Sequence, residues 1–214
     1  EAMEGPVELI ILLTKAYQSA DAMTAVAPGL DERTHVLTLQ NGLGNVEAIA
    51  RHVPMERIFI GTTLMPVGRI EPGVVESVAN APSFFGPVNG ESTVMVDHLA
   101  SVFSATPLDT HYAPDVEQRI WHKVLFNAGM NATSALSRAT PGAIGESDGA
   151  KEMVRSVIRE GAAVAAACGI NVDVDAIYAT VDMACKDHAD HVPSMLQDRS
   201  EEHTSELQSQ FRIS

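Results

Sequence analysis

No cluster of lysine and arginine occurs anywhere in these 214 residues, and 14 basic side chains face 28 acidic ones for a formal net charge of -14. Neutralising phosphates needs a positive surface, so nucleic acid is not an expected partner. The same imbalance gives no long-range pull on a small anion, which must be caught by local cations such as Lys15 or Lys123. Cysteine is scarce: Cys168 and Cys185 stand in helical patterns without C-x-x-C spacing, which points to buried reduced thiols and a cytoplasmic setting. Long apolar runs are also missing. The longest, Leu9 to Leu13, is far too short to span a bilayer, and no basic segment precedes it, so neither a membrane span nor a secretory signal is expected. What remains is a globular chain, 45% apolar, long enough for one large domain or two small ones.

Val7 to Leu13 reads as a strand covered on both faces, with Thr14 and Lys15 at its carboxyl end. Helical spacing follows from Tyr17 to Val26. A second strand, His35 to Leu39, ends in Gln40-Asn41-Gly42-Leu43-Gly44, then a helix from Val46 to His52 leads to a third strand, Ile58 to Ile60, ending in Gly61-Thr62-Thr63. Strands alternating with helices make a parallel sheet, whose ligands bind outside the carboxyl ends of the strands, where Lys15, Asn41 and Thr62 fall. Gly42-Leu43-Gly44 is not a dinucleotide fingerprint, since Glu47 stands where a third glycine should open the helix; a tight turn and a ligand loop both fit it. No other segment supplies that fingerprint after a strand.

Short strands at Val74 to Val78 and Ser83 to Phe85, a helix from Thr93 to Ser104 capped by Ser92, and a strand at Leu108 to His111 complete the first half. Beyond Pro114 every periodic segment is helical: Val116 to Ser134, Lys151 to Cys168 stopped by Gly169, and Val174 to Ala189. The architecture therefore changes near residue 112, from α/β to all-α.

The segment after that change carries Lys123, Asn127 and Asn131 at four-residue intervals, which places all three on one face of a helix. An ammonium can hold a proton for a developing alkoxide, and two neutral carboxamides can bind a carboxylate or hydroxyl without burying further charge, so the trio suits a small oxo acid. A solvated polar stripe fits the same spacing. Cys185, His188 and His191 recur at three-residue intervals, but one helix does not turn three such ligands onto one tetrahedral ion, and no metal site is assigned. Residues 199–214 read as the in-frame translation of a sequencing-adapter oligonucleotide and are set aside from the fold.

Together, Thr14-Lys15, Gln40-Asn41-Gly42-Leu43-Gly44, Gly61-Thr62-Thr63, Trp121-x-Lys123-x-x-x-Asn127-x-x-x-Asn131 and Ser194-Met195-Leu196-Gln197-Asp198 resemble the ketopantoate reductase (2-dehydropantoate 2-reductase) family, in order over residues 5–198. The resemblance implies a partial NADP-binding Rossmann domain over residues 1–112, lacking its first βα units. It further implies a truncated helical domain of the 6-phosphogluconate dehydrogenase C-terminal type over 113–198. The implied activity is NADPH-dependent reduction of ketopantoate to pantoate, in pantothenate and coenzyme A biosynthesis. Lys123 would be the general acid, Asn127, Asn131, Ser194 and Asp198 would lie at the substrate, and Lys15 and Asn41 at the cofactor. The family's glycine loop has no counterpart here, so the 214 residues alone are expected to be inactive and to bind NADPH poorly. Its C-terminal glutamate would fall near Glu206, inside the adapter-like tail. NADPH or NADH preference cannot be read from these residues, and the assembly state is open, a homodimer included. Two other readings stand beside this one. A related 2-oxo or 3-hydroxy acid dehydrogenase keeps the fold; a non-catalytic helical dimerisation module would turn Lys123, Asn127 and Asn131 into solvent.

Overall fold

Val36 and Leu37 are neighbours in the chain yet pack in different cores, because successive side chains of a strand alternate between faces. In this computed structural model, which describes residues 7–77, 79–89 and 94–200, the sheet they belong to contains β1 (Leu9–Leu12), β2 (His35–Thr38) and β3 (Ile58–Thr63). After a separate antiparallel ribbon of β4 (Val67–Glu71) and β5 (Val74–Ser77), the chain adds β6 (Ser83–Pro87) and β7 (Thr110–Tyr112). The order across the sheet is β1-β2-β3-β6-β7. The first three strands are parallel, as their helical connections require, with Val36 opposite Ile10 and Ile58. β6 runs antiparallel to β3, and β7 parallel to β6, so the expectation of a parallel sheet holds only for each side of the β3–β6 seam.

On one face Leu12, Val36 and Ile58 bury against Met23 of α1 (Ser19–Val26) and Ile49 of α2 (Asn45–Ile49). On the other, Leu37, Phe59 and Phe85 meet Val96, Leu99 and Phe103 of α3 (Val94–Ser104). Burial of each such side chain contributes about 1.5–3 kcal/mol.

The described residues divide into two compact units between Arg119 and Ile120, inside α4 (Val116–Phe126) and beyond the expected change near 112. The second unit continues with a π-helical segment, Asn127–Asn131, then α5 (Ala132–Ser137), α6 (Pro141–Glu146), α7 (Asp148–Ala167), α8 (Val174–Asp187) and α9 (Ser194–Ser200). Its core is Leu125, Met130, Ile144, Val154, Ile158, Ile177 and Val181. Thr140, Ser147 and Asp173 cap α6, α7 and α8 by accepting from backbone N–H groups. Gly169 ends α7 at φ 81°, with its N–H bonded to Ala166 O and that of Ile170 to Ala165 O, the paired closure that a left-handed residue permits.

Several expectations need correction. The helix expected over Val116 to Ser134 is two α-helices joined by the π segment and extends to Ser137. β4, α6 and the late start of β7 were not expected, and the first strand and the helices near Val46 and Val174 are shorter than their apolar patterns. Ser92, proposed as a cap, and Val78 lie outside the described residues, as do 201–214 with Glu206. Arg199 and Ser200, the first residues of the expected tail, continue α9, and Arg199 Nη1 donates to Ala135 O at 2.7 Å. No helix among the described residues is long and apolar enough to cross a membrane.

Candidate active site

In the first unit, β1, β2 and β3 share a carboxyl edge, and a buried glutamine holds two of those ends together. Gln40 Nε2 donates to Thr14 O at 2.6 Å and to Ser19 Oγ at 2.9 Å, while its Oε1 accepts from Thr38 Oγ1 at 3.0 Å. A buried amide so fully used keeps its shape, so the segments carrying Lys15 and Asn41 leave the sheet in fixed directions. Lys15 is half-buried, and its backbone N–H donates to Gln18 Oε1 at 3.2 Å, closing a 3-10 turn. Asn41 is half-buried and its carbonyl accepts from Asn45 Nδ2 at 3.4 Å. The turn between them needs its glycines: Gly42 and Gly44 have φ 90° and 84°, a region closed to most side chains. Thr62, at the same edge on β3, is 6% exposed, and its hydroxyl has no hydrogen-bond partner among the described residues.

In the second unit, Lys123 is half-buried in the last turn of α4, and Asn127 and Asn131 are 7% and 8% exposed. Asn131 Nδ2 donates to Asn127 Oδ1 at 3.0 Å. The solvated-stripe reading, and with it the dimerisation module that required these amides in solvent, does not survive their burial. The π segment improves the alignment that the four-residue spacing suggested. Four residues of α-helix over-rotate a full turn by ~40°, whereas a π turn holds roughly 4.4 residues, so four residues there fall short of one. The Lys123-to-Asn127 drift is therefore largely undone between Asn127 and Asn131. The i→i+5 bond that marks this widened turn runs from Ala132 N–H to Asn127 O. Gly129 lets the segment seat against α7, since a Cβ there would lie 3.0 Å from Val154 O and 3.2 Å from Ile158 Cγ1.

Ser194 and Asp198 sit four apart on α9, Ser194 exposed and Asp198 half-buried. α9 packs on α5 and on the π segment, anchored by buried Met195 and the Arg199–Ala135 hydrogen bond. The structure thus brings Asn127 and Asn131 into direct contact and gathers five of the seven expected site residues in the second unit. Lys15 and Asn41 belong to the first.

Sequence reading gave no role to His122, Gln40 or Ser134. His122 Nε2 lies 3.1 Å from Thr180 Oγ1, and because the Thr180 hydroxyl donates to Ala176 O, the imidazole must be the donor between them. Burial pushes the His122 pKa down, opposed by the charge of Asp173. Burial also pushes the Cys185 thiol up, with Asp182 adding to it and Lys151 opposing, whereas Cys168, expected to be buried too, is exposed at the end of α7.

The models for ketopantoate reductase PanE/ApbA and for its C-terminal domain match residues 1–90 and 115–211. A 2-dehydropantoate 2-reductase of Halobacterium salinarum is 33% identical over 191 residues, covering 89% of this chain and 62% of that protein. The solved 2-dehydropantoate 2-reductase of Geobacter metallireducens is 30% identical with TM-score 0.86, covering 97% of this chain and 69% of its own. This chain belongs to the ketopantoate reductase family. A ternary structure of D-mandelate dehydrogenase with NADH and anilino(oxo)acetate is also similar, at 28% identity and TM-score 0.89, covering 97% of this chain and 68% of that one. The chain spans about 62% of the length of the curated Halobacterium relative. Ketopantoate reductases are oxidoreductases, and the D-mandelate dehydrogenase neighbour was solved with NADH bound to it.

Proposed function

We propose that this chain is the central and helical part of an NADPH-dependent 2-dehydropantoate 2-reductase, with Lys123 as general acid. The observation carrying the reading is the half-buried Lys123 followed by two buried, mutually bonded carboxamides in a π segment. A buried amide needs hydrogen-bond partners; the bond between these two leaves the Asn127 NH2 for another, and π turns recur at functional sites.

The residues present fit one end of a dinucleotide. Gly42 and Gly44 present no side chain, so backbone of the Asn41–Gly44 turn can come close to a ligand, and the Thr62 hydroxyl, without a partner among the described residues, lies at the carboxyl end of the adjoining strand, which suits a nicotinamide riboside. A pyrophosphate-binding glycine loop has no counterpart in the sequence, so this chain alone is expected to bind NADPH poorly and not to turn over. In the full-length reductase, a dihydronicotinamide held at Lys15 and Asn41 would supply the hydride for the keto carbon. Lys123 gives its proton to the keto oxygen as that oxygen becomes anionic, and an ammonium so placed is bound more strongly in the transition state than before it. Asn131 holds the Asn127 oxygen, which leaves the Asn127 NH2 to donate to the substrate's carboxylate or hydroxyl. Ser194 and Asp198 on α9 flank the same substrate, and Lys15 and Asn41 belong to the cofactor. The setting proposed is the cytoplasm.

The likeness to D-mandelate dehydrogenase favours a second reading, reduction of another 2-oxo acid on the same frame. Steady-state rates of the full-length reductase with ketopantoate, phenylglyoxylate and other 2-oxo acids, each with NADPH and NADH, separate the two. Ketopantoate with NADPH should give the highest kcat/KM. A phenylglyoxylate preference would transfer the assignment to the second reading, and no turnover of any oxo acid would reject both.

A further inference from the structure

Ser134 is fully buried, at 0% exposure, and its hydroxyl has no hydrogen-bond partner among the described residues. A buried helical serine ordinarily returns its proton to the carbonyl four residues back. Even the exposed or half-buried helical hydroxyls of Thr24, Ser104, Ser137 and Thr180, which water could serve, do so here, donating to Ala20, Ala100, Thr133 and Ala176 at 2.6–2.9 Å. Ser134 does not, and the carbonyl four residues before it belongs to Met130, inside the π segment. A packed core does not keep an unused donor without reason, because removing it would be stabilising.

The neighbour on the helix surface supplies the reason. Ser134 follows Asn131 by three residues, which sets the two side chains next to one another. Asn131 now spends its amide on Asn127. When the Asn127 NH2 donates to a substrate, Asn131 must keep its grip on Asn127 Oδ1, and the Asn131 oxygen is the atom through which a second donor can fix that carboxamide.

We propose that Ser134 is a positioning residue of the oxo-acid site: its hydroxyl donates to Asn131 Oδ1 in the liganded state and holds the carboxamide in the orientation that keeps Asn127 aimed at the ligand. This rests on the oxo-acid reading above. Ser134 never touches the ligand, so its complete burial is no obstacle.

The test is calorimetric titration of the full 214-residue chain with ketopantoate, for wild type, Ser134→Ala and Ser134→Thr, with thermal midpoints and the Asn131 side-chain amide resonances in 15N spectra. Ser134→Ala should weaken binding about tenfold, the value of one well-made hydrogen bond, with a midpoint equal to or above wild type. The Asn131 resonances should shift on binding in wild type and in Ser134→Thr, which retains affinity within about threefold, but not in Ser134→Ala. Equal affinity in Ser134→Ala and wild type would overturn the proposal and leave the oxo-acid reading standing. A lowered midpoint with unchanged affinity would make Ser134 merely structural. Failure of the wild type to bind ketopantoate would instead reject the oxo-acid site on this chain, and the proposal with it.

Discussion

Asn131 donates its side-chain amide to Asn127 Oδ1 at 3.0 Å along a single turn of π-helix. The direction of that bond decides what the pair can offer, because Asn127 is left with two N–H donors and no free carbonyl oxygen on that side. Asn131→Asp keeps the shape and removes the donor. The carboxylate would draw the Asn127 NH2 inward, so ketopantoate affinity should fall at least tenfold, roughly one charge-assisted hydrogen bond. Calorimetry on the folded variant checks this, and unchanged affinity would show that the amides do not face the substrate.

Gln40 joins the ends of β1 and β2 through the backbone of exposed Thr14 and the buried hydroxyls of Ser19 and Thr38. Gln40→Met fills the same volume but orphans those groups. Unfolding free energy in urea should drop by about 2–3 kcal/mol, and a drop under half a kcal/mol would mean that solvent replaces the clasp.

Two glycines should respond in opposite senses to alanine. A Cβ on Gly61 would run into Phe84 O and the Leu39 side chain, whereas one on Gly149 in α7 meets nothing within 4 Å. Gly61→Ala should destabilise by about 1–3 kcal/mol, and Gly149→Ala should stabilise by roughly 0.5 kcal/mol. Thermal melts of the pair read both signs in one experiment.

His122 makes stability depend on pH. Its pKa is pushed below the ordinary 6.5 by burial, so the unfolded chain takes up a proton before the folded one does. Its contribution is therefore complete above about pH 6.5 and is lost as pH falls from there through the depressed folded value. The fall in melting temperature between pH 7 and pH 5 should be smaller in His122→Gln than in wild type. Identical profiles would show that the imidazole is free to charge in place.

How much of this was visible in the residues differs from one element to the next. The Lys123, Asn127, Asn131 repeat was legible because four-residue spacing marks one helix face, but the π turn was not, since five residues cannot distinguish 3.6-residue from wider periodicity. β4 was hidden because every residue in it is exposed, which removes the alternation that betrays a strand. α6 opens on Pro141-Gly142, which reads as a break although proline suits a first helical turn. Gln40 stood in a noted motif, yet its partners Ser19 and Thr14 lie 21 and 26 residues away, and no local pattern announces them. Ser134 carried no sequence signal at all; complete burial together with a missing hydrogen bond distinguishes it from four helical hydroxyls that are exposed or half-buried.

The most direct test replaces Lys123 with alanine in the full-length reductase and follows NADPH oxidation with saturating ketopantoate, alongside NADPH binding. Loss of the proton donor should lower kcat by about 10²–10⁴, with NADPH affinity held within about threefold of wild type. Turnover equal to wild type would contradict the account, since the oxygen would then be obtaining its proton from some other group.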